Sequence, residues 1–516
     1  MKKYKAAIIG GGFSGLIAAI KLSENLGGGN VIVLEKNDRT GKKIVATGNG
    51  RGNITNLELS AANYHSVGGD ENLIAVEKYG NKSIISFFSS LGVSVSAEGN
   101  RVYPSSMQAS SLLDMMRLRL GYLKTEIETS SECLDIEPQK NGFCLKTTGE
   151  DVFAERVIFA AGGKAGKQYG TDGTAFSLLQ KLGVKITGLY PAIVQLKTDT
   201  DYIKGLKNLK EKASVSAYDG DKFLKSFYGD VLFTDYGVSG NATFYLSSYL
   251  TGAKNPVLKI EFTDKTESEL YEFLVEKVKN LPYITADDLL TGVVNKQIGR
   301  AIVKRSGAGD TSDKSLEKIA KTAKNFTLNV RGTLGFDYAQ VTRGGVSWKE
   351  LDENFECKKV RGMFVTGEAV DVDGDCGGFN LQWAFSSAMV AADKTAGEKE
   401  VKREAEKRAK IKNASYFRIL KKSLDARDKN NIKYIYSVEI GEKEEIETFK
   451  PKLQSAEKPV KVIIAGFGPA GIFCALYLAR AGFNPVVLER GKCVDERQMS
   501  VYKFVNDGFL DVNSNI

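Results

Sequence analysis

Four residues near the N-terminus have the types and spacing that phosphate and sugar binding require. Gly10, Gly12 and Gly15 form a Gly-x-Gly-x-x-Gly sequence, and Glu35 follows twenty positions after Gly15. The first glycine permits a tight turn, the second lets backbone N–H groups approach a pyrophosphate, and the third allows close packing of a helix. The carboxylate of Glu35 can accept hydrogen bonds from ribose hydroxyls. This spacing predicts a dinucleotide-binding site.

These residues need a strand, a helix and a second strand to position them. Ala6–Ile9 is an apolar run before Gly10, a helical segment follows the glycines, and Val31–Leu34 is a second apolar run that ends on Glu35. A pyrophosphate would face the N-terminus of that helix, where free N–H groups carry partial positive charge. The pattern predicts a Rossmann-like βαβ unit.

A second copy of the same pattern lies near the end of the chain. The run 461–465 precedes the glycines of 466–471, a helical segment reaches about Gly482, and 485–488 leads to Glu489. One βαβ unit cannot bury both faces of a parallel sheet. We therefore expect this second dinucleotide-binding unit to be incomplete.

Later segments favour FAD as the dinucleotide. The run 157–163 is an apolar strand that ends in small residues, and 362–368 is another, ending in Gly367 and Glu368. Gly377 and Gly378 then lead into a helix expected over 381–392, whose first amides could face a cofactor. A single dinucleotide site to which both the first and the last third of residues 1–400 contribute is typical of flavoproteins.

The predicted fold class is α/β. A Rossmann-like FAD-binding domain carries an inserted β-rich and helical substrate domain, and an incomplete second βαβ unit follows. The expected boundaries are 1–188 for the first part of the FAD-binding domain, 189–330 for the insertion, 331–400 for its C-terminal part, 401–458 for a charged linker or small domain, and 459–516 for the second unit.

Composition narrows the class of protein. The 516 residues are 42% hydrophobic and 26% charged, which is typical of globular proteins. No run of eighteen apolar residues occurs, and the first strand begins within about five residues, so we expect no membrane span and no signal peptide. The six cysteines form no C-x-x-C pair. We therefore expect no metal site and a cytoplasmic location.

The net charge of +9 is concentrated in one segment. Residues 402–429 contain eleven Lys or Arg and four Asp or Glu, so residues 1–400 are close to neutral. Nucleic-acid binding usually requires basic residues on one face of a fold. A solvated linker is the simpler interpretation, and no nucleic-acid partner is expected.

Residues 1–400 resemble the YhiN-like, or aminoacetone oxidase, family of flavoproteins. The segments that carry the resemblance are 41–56, 101–104, 232–240, 341–346 and 367–384, the last including Asp373-Gly374 and the run 377–384. The resemblance implies bound FAD and an inserted domain. Among the activities of this family is reduction of the conjugated double bonds of a 3-dehydro bile acid, so the resemblance implies a role in steroid and lipid metabolism.

The chain departs from its family at three positions. Members usually carry Cys at position 52, His at 235 and Pro at 241, where this chain has Gly52, Asp235 and Asn241. A mechanism that needs that Cys or His cannot be transferred to this chain. Residues 409–516 resemble the N-terminal part of another family, uncharacterised FAD-dependent dehydrogenases, through 421–427, 466–471 and 488–497.

The predicted site has two sets of residues. Arg51, Asn53, Tyr103 and Tyr236 are the catalytic candidates; Tyr103, Tyr236 and Arg343 could polarise a ketone or could serve packing. The residues assigned to cofactor binding are Gly10, Gly12, Phe13, Ser14, Gly15, Glu35, Lys36, Lys43, Arg51, Asn53, Cys133, Ala161, Gly162, Gly367, Glu368, Asp373, Gly377, Gly378, Asn380 and Leu381.

Three functions remain open from the sequence. The first is a flavin-dependent reductase of conjugated C=C bonds that acts on a small apolar oxo-substrate and takes electrons from NAD(P)H. The second is an amine oxidase that passes electrons to O₂. The third is a non-enzymatic or RNA-associated flavoprotein, which only the basic segment supports. The single histidine, His65, lies in a polar stretch and supports no paired-nucleophile mechanism.

Overall fold

A computed structural model describes residues 1–69, 73–395, 405–406, 408–409, 416–425, 433–441, 461–466 and 468–489. The chain divides into two compact units, Met1–Lys410 with Ile419–Val438, and Ile411–Arg418 with Glu439–Ile516. In the described part of the chain, no helix is both long enough and apolar enough to cross a bilayer.

A seven-stranded sheet forms the centre of the first unit. Its strands are, in spatial order, Glu126–Thr129, Val31–Glu35, Lys2–Ile9, Val152–Phe159, Gly142–Thr147 and Cys133–Gln139, and Met363–Val365 also pairs with Val152–Phe159. The first four strands and Met363–Val365 are parallel, whereas Gly142–Thr147 and Cys133–Gln139 pair antiparallel. Strands Val31–Glu35 and Met363–Val365 are buried along their whole length, and Lys2–Ile9 is buried over its apolar second half, because helices and loops cover both faces of the sheet there.

Two long helices pack on this sheet. Phe13–Leu26 and Phe379–Thr395 pack together, and most of their residues are buried. The second helix therefore includes Phe379 and Asn380, two residues more at its start than the expected span of 381–392. The other α-helices of the nucleotide domain are Ile74–Lys78, Asn81–Ser90, Ala109–Tyr122 and Phe176–Lys181.

Pairs of short strands join distant parts of the nucleotide domain. Thr55–Asn56, Arg101–Pro104 and Val95–Glu98 form a three-stranded antiparallel sheet, Tyr64–His65 pairs with Asp373–Gly374, and Tyr190–Ala192 pairs with Val341–Arg343. These pairings hold the first and last parts of the nucleotide domain together.

A closed six-stranded antiparallel barrel forms the middle of the chain. Its strands in order are Leu196–Thr198, Gly237–Ser239, Lys222–Phe233, Lys210–Asp219, Pro256–Glu261 and Phe326–Thr333. Helices Asn241–Tyr249, Glu267–Asn280, Lys296–Ser306 and Asp313–Lys324 accompany it, and a separate hydrophobic core fills it. The predicted fold class, a Rossmann-like domain with a β-rich and helical insert, is therefore confirmed.

In the second unit, Ile463–Ala465 and Val486–Leu488 are parallel and flank helix Pro469–Arg480. This is the βαβ arrangement that the second glycine sequence predicts. Strands Tyr416–Asp425 and Lys433–Gly441, most of whose residues belong to the first unit, pair in a separate two-stranded sheet. Most of the expected linker at 401–458, and the final residues 490–516, lie outside the described residues.

Candidate cofactor and substrate site

A cavity of about 900 Å³ lies between the sheet of the nucleotide domain and the barrel. Its walls come from the glycine turn after Lys2–Ile9, the loop of residues 41–53, the start of helix Phe379–Thr395, and barrel residues such as Phe244. Ligand sites commonly lie between domains and enclose about 300–1,000 Å³. The cavity is therefore large enough for an extended cofactor.

The first glycine sequence forms one end of the cavity. Gly10 has φ +107°, and a Cβ there would lie 2.5 Å from the carbonyl oxygen of Ala160. A Cβ on Gly15 would collide with the carbonyl oxygen of Gly10. Gly12 is different. Apart from its two chain neighbours, no described residue has a heavy atom within 4 Å of the position that a Cβ on Gly12 would take. The turn thus leaves an open cradle beside Gly12.

The groups around this cradle suit a dinucleotide. No side chain caps helix Phe13–Leu26, which begins after Gly12, so its first N–H groups point toward the cavity end. Glu35 is buried on the cavity wall, where its carboxylate accepts hydrogen bonds from Gly11 N–H (2.8 Å) and Asn37 N–H (2.8 Å). A helix N-terminus binds phosphate, and a carboxylate at this place binds ribose hydroxyls, so these residues fit FAD.

Two lysines on the cavity wall are neutralised by carboxylates. Lys36 lies 3.2 Å from Asp172, and Lys43 lies 2.6 Å from Glu368 and also donates to the carbonyl oxygen of Ala165 (3.0 Å). Lys43 and Glu368 come from opposite ends of the nucleotide domain. Their ion pair closes the cavity wall between those ends.

The start of helix Phe379–Thr395 forms a second polar wall. Gly377, Gly378, Asn380 and Leu381 all line the cavity. Asn380 stabilises the preceding turn, since Gly374 N–H donates to Asn380 Oδ1 (2.8 Å) and Asn380 Nδ2 donates to the Gly374 carbonyl (2.7 Å). Gly378 has φ +99°, and a Cβ there would collide with the backbone of Thr55. The helix therefore presents its N-terminal end to the cavity without a bulky side chain in between.

Three of the four catalytic candidates meet in this cavity. Arg51 Nη2 donates to the Tyr103 hydroxyl (3.3 Å), its guanidinium carbon stands 4.6 Å from the Tyr103 ring centroid, and Nη1 lies 2.8 Å from Glu98. Asn53 Nδ2 donates to the carbonyls of Thr55 and Val102, at 3.0 Å each. Asn53 thus supports the loop, and Arg51 and Tyr103 form a polar pair on its surface.

Other predicted residues complete the lining. Phe13, Ser14, Cys133, Ala161 and Gly162 all contribute to the cavity wall. Ser14 donates its hydroxyl proton to Thr366 Oγ1 (2.8 Å), which joins the two ends of the nucleotide domain. Burial raises the pKa of the Cys133 thiol to about 12, so this residue is a neutral, unreactive part of the wall.

Four of the predicted residues do not line the cavity: Gly15, Gly367, Asp373 and Tyr236. Gly15 and Gly367 are packing positions, since a Cβ on Gly367 would lie 2.9 Å from Ser14 Cβ. Asp373 is fully buried and holds Arg343 in a two-pronged ion pair (2.8 and 3.0 Å) behind the wall. The structure therefore places these four residues outside the wall that a ligand in the cavity would contact.

Tyr236 and Arg343, for which the sequence left open a choice between polarising a ketone and packing, do not line the cavity. Tyr236 follows the exposed Asp235, on the barrel, outside the cavity lining, and Arg343 is held by Asp373 and the Ser248 carbonyl (2.5 Å). Asp235 pairs with Lys207 at 3.0 Å, and this partner lowers the pKa of the Asp235 carboxyl. An exposed, ionised carboxylate does not serve as a proton donor near neutral pH.

Sequence reasoning missed the barrel side of the cavity. Ile193, Leu232, Asn241 and Phe244 line it, and Arg101 lines it from the nucleotide side. Positions 101 and 232 belong to segments that carried the family resemblance, and Asn241 is one of the departures from the family pattern, and these were the available signals. Ile193 lies between two short strands and Phe244 in helix Asn241–Tyr249, where nothing local in the sequence distinguishes a lining residue from a core residue.

The single histidine is part of a buried polar cluster beside the cavity. His65 Nε2 lies 2.8 Å from Asp375 Oδ1, and the other carboxylate oxygen accepts from Asn63 Nδ2 (3.1 Å) and the Tyr249 hydroxyl (3.2 Å). Tyr249 belongs to a helix of the barrel, and burial raises its pKa. The cluster links the nucleotide domain to the barrel.

Comparison with known proteins agrees with this fold. The model of the HI0933-like protein Rossmann domain matches residues 4–394, and a domain of unknown function matches residues 387–441. The chain is 32% identical over 399 residues to the 3-dehydro-bile acid delta(4,6)-reductase of Clostridium scindens, covering 75% of this chain and 98% of that protein.

Two further comparisons are more distant. The ribosomal RNA dihydrouridine synthase of Haemophilus influenzae is 26% identical over 393 residues, covering 75% of this chain and 96% of that protein. The crystal structure of 3-ketosteroid-delta4-(5alpha)-dehydrogenase from Rhodococcus jostii covers 77% of this chain and 97% of its own, with 14% identity and a TM-score of 0.44. By its family match over residues 4–394 and its 32% identity to a full-length relative, the chain belongs to the HI0933-like Rossmann family of FAD-dependent oxidoreductases.

Proposed function

We propose that this protein reduces conjugated C=C bonds of an oxo-steroid-like substrate, such as a 3-dehydro bile acid, with electrons from NAD(P)H. Residues 189–330 form the substrate domain in this proposal, and the cofactor occupies the glycine turns of the nucleotide domain. Bound FAD supplies hydride-transfer chemistry at such a site.

The observation that carries the proposal is the composition of the two cavity walls. The nucleotide side has the open cradle at Gly12 and the buried carboxylate of Glu35. The opposite side contributes the apolar Ile193, Leu232 and Phe244, beside the ion-paired Lys210 and Asp230. A flat apolar molecule gains free energy by covering such side chains, at about 25 cal/mol per Å² of apolar surface removed from water. The 32% identity to a bile acid reductase supports the same substrate class.

The residues of the chain have separable tasks in this mechanism. The N-terminal amides of helix Phe13–Leu26 hold the pyrophosphate, and Glu35 orients a ribose. The amides at the start of helix Phe379–Thr395 stabilise negative charge that develops next to them. The apolar barrel side chains exclude water from the reacting double bond.

A ribosomal RNA substrate is the competing interpretation, because a more distant relative bears that activity. A phosphodiester chain is bound by unpaired lysines and arginines. In the part of the chain that the structure describes, six cations line the cavity, and five of them are already paired with carboxylates: Lys36, Lys42, Lys43, Arg51 and Lys210. This charge balance favours a small apolar substrate over RNA.

Anaerobic stopped-flow absorbance tests the proposal. The purified flavoprotein is mixed with NADH or NADPH, and then with a 3-oxo-4,6-diene steroid. We expect bleaching near 450 nm by one nucleotide and recovery on addition of the dienone. Recovery with O₂ but not with the dienone would support the oxidase alternative instead, with aminoacetone as the donor to test. Absence of bleaching with either nucleotide would refute NAD(P)H as the electron source.

A further inference from the structure

We propose that Arg101 binds the carbonyl oxygen of the substrate and stabilises the negative charge that this oxygen acquires during reduction. The proposal rests on the proposed function, since it assigns a residue to the oxo group of the conjugated substrate. It also gives Arg101, which the sequence offered only as part of a motif, a specific chemical task.

The charge pattern of the cavity singles out Arg101. Six cationic side chains of the described residues line the cavity, and five of them lie within 4 Å of a carboxylate oxygen. Among the described residues, the guanidinium of Arg101 has neither an ion pair nor a hydrogen-bond partner. Its cross-strand neighbour Glu98 is already engaged by Arg51 at 2.8 Å. A partly buried cation without a counter-charge is costly, which is the usual mark of a site built for an anionic or strongly polar ligand.

The position of Arg101 matches that task. It begins strand Arg101–Pro104, which is held on both sides by Thr55–Asn56 and Val95–Glu98, so its backbone is fixed. The Nε atom lies 3.6 Å from the place where a Cβ on Gly377 would stand. Gly377 precedes the N-terminus of helix Phe379–Thr395, whose partial positive charge acts on the same part of the cavity. The guanidinium and the helix end therefore create one electropositive region on the wall.

The chemistry requires such a region. When a hydride forms a C–H bond at the β-carbon of an enone, the C=C electron pair moves toward the carbonyl and its oxygen becomes an enolate oxygen. A proton from water then adds at the α-carbon, and the C=O bond is restored. A guanidinium can donate two N–H bonds to the enolate oxygen and remains protonated throughout. It therefore stabilises the transition state without exchanging a proton.

Ligand binding by Arg101→Gln tests this assignment independently of turnover. The probes are a 3-oxo-4,6-diene steroid, whose absorption band moves to longer wavelength when its carbonyl is polarised, and an A-ring steroid phenol, whose phenolate resembles the enolate. Loss of a charge-assisted hydrogen bond weakens binding by about 10- to 100-fold. We expect Arg101→Gln to lose the band shift and to bind the phenol that much more weakly. Arg101→Lys should recover part of both effects.

Arg331→Gln is the matched control, because Arg331 is exposed on barrel strand Phe326–Thr333 and does not line the cavity. Flavin content and flavin reduction potential are measured for every variant. Unchanged binding of both probes by Arg101→Gln would overturn the proposal, and so would an altered potential with unchanged binding, because Arg101 would then act on the cofactor. The proposed function fails separately, if the wild-type flavoprotein is not reoxidised by the dienone.

Discussion

Substitution of Gly12 by valine separates cofactor binding from folding. Gly12 has φ −80° and ψ −171°, which valine adopts without strain, and no described atom other than those of its chain neighbours lies within 4 Å of the new Cβ. The apoprotein should therefore tolerate the change. The cost expected from replacing glycine at a helix N-cap is at most about 1 kcal/mol.

The effect on FAD should be much larger. The isopropyl group would fill the cradle through which a pyrophosphate reaches the first N–H groups of helix Phe13–Leu26. Loss of two hydrogen bonds to a charged phosphate costs about 3–6 kcal/mol, at about 1.5–3 kcal/mol each. At about 1.4 kcal/mol per tenfold change, the dissociation constant for FAD should rise by about 10² to 10⁴.

Flavin fluorescence titration of the apoprotein measures that change, and thermal denaturation of the apoprotein measures folding. Gly29→Val is a matched control, because Gly29 is exposed, also has open space around its Cβ position and lies outside the cavity. Gly15→Val provides the opposite case and should prevent folding, since its Cβ collides with the Gly10 carbonyl. A Gly12→Val protein that retains FAD with wild-type affinity would show that the cofactor does not use this cradle.

Three other outcomes are expected. A chain ending at Lys399 should retain FAD, measured as the ratio of absorbance at 450 and 280 nm, because every described residue that lines the cavity precedes it; loss of flavin would contradict this. Asp373→Asn should lower the free energy of unfolding in urea by about 3–5 kcal/mol, since it leaves the buried guanidinium of Arg343 without its partner, and a change below about 1 kcal/mol would refute that reading. Because burial raises the pKa of Cys133 to about 12, its thiol stays protonated at pH 8 and should resist iodoacetamide, whereas the exposed Cys474 should react; peptide mass spectrometry after labelling distinguishes them.

Several site residues chosen from the sequence line the cavity because their placement is local. Gly10, Gly12 and Glu35 belong to one βαβ unit, in which a strand, a tight turn and a helix fix their relative positions over thirty residues. The same holds for Gly377 and Gly378, which directly precede a buried helix. Where a residue lies in a turn or at a helix end that local sequence forms, the spacing of the motif was sufficient to predict that it lines the cavity.

Other positions depended on contacts between distant segments. Asp373 lies close in sequence to cavity-lining residues, yet a buried ion pair with Arg343 turns its carboxylate away from the cavity. Tyr236 lies in the turn before barrel strand Gly237–Ser239 and Phe244 lies in helix Asn241–Tyr249, and Phe244 alone of the two lines the cavity. The direction of such side chains follows from how the turn and the helix pack on the closed barrel, which spacing in the sequence does not reveal.

The sequence by itself determined that this chain has a Rossmann-like dinucleotide fold with an insert and a second βαβ unit, because glycine turns, apolar strands and helix starts are local and repeat at fixed spacing. Tertiary structure alone decided which residues face the substrate side of the cavity. It brings Arg101 beside Gly377, across more than 270 positions, and leaves the guanidinium as the one lining cation that lacks a carboxylate partner among the described residues. That difference arises because charge compensation and burial depend on which distant side chains meet, whereas turns and caps depend on their immediate neighbours.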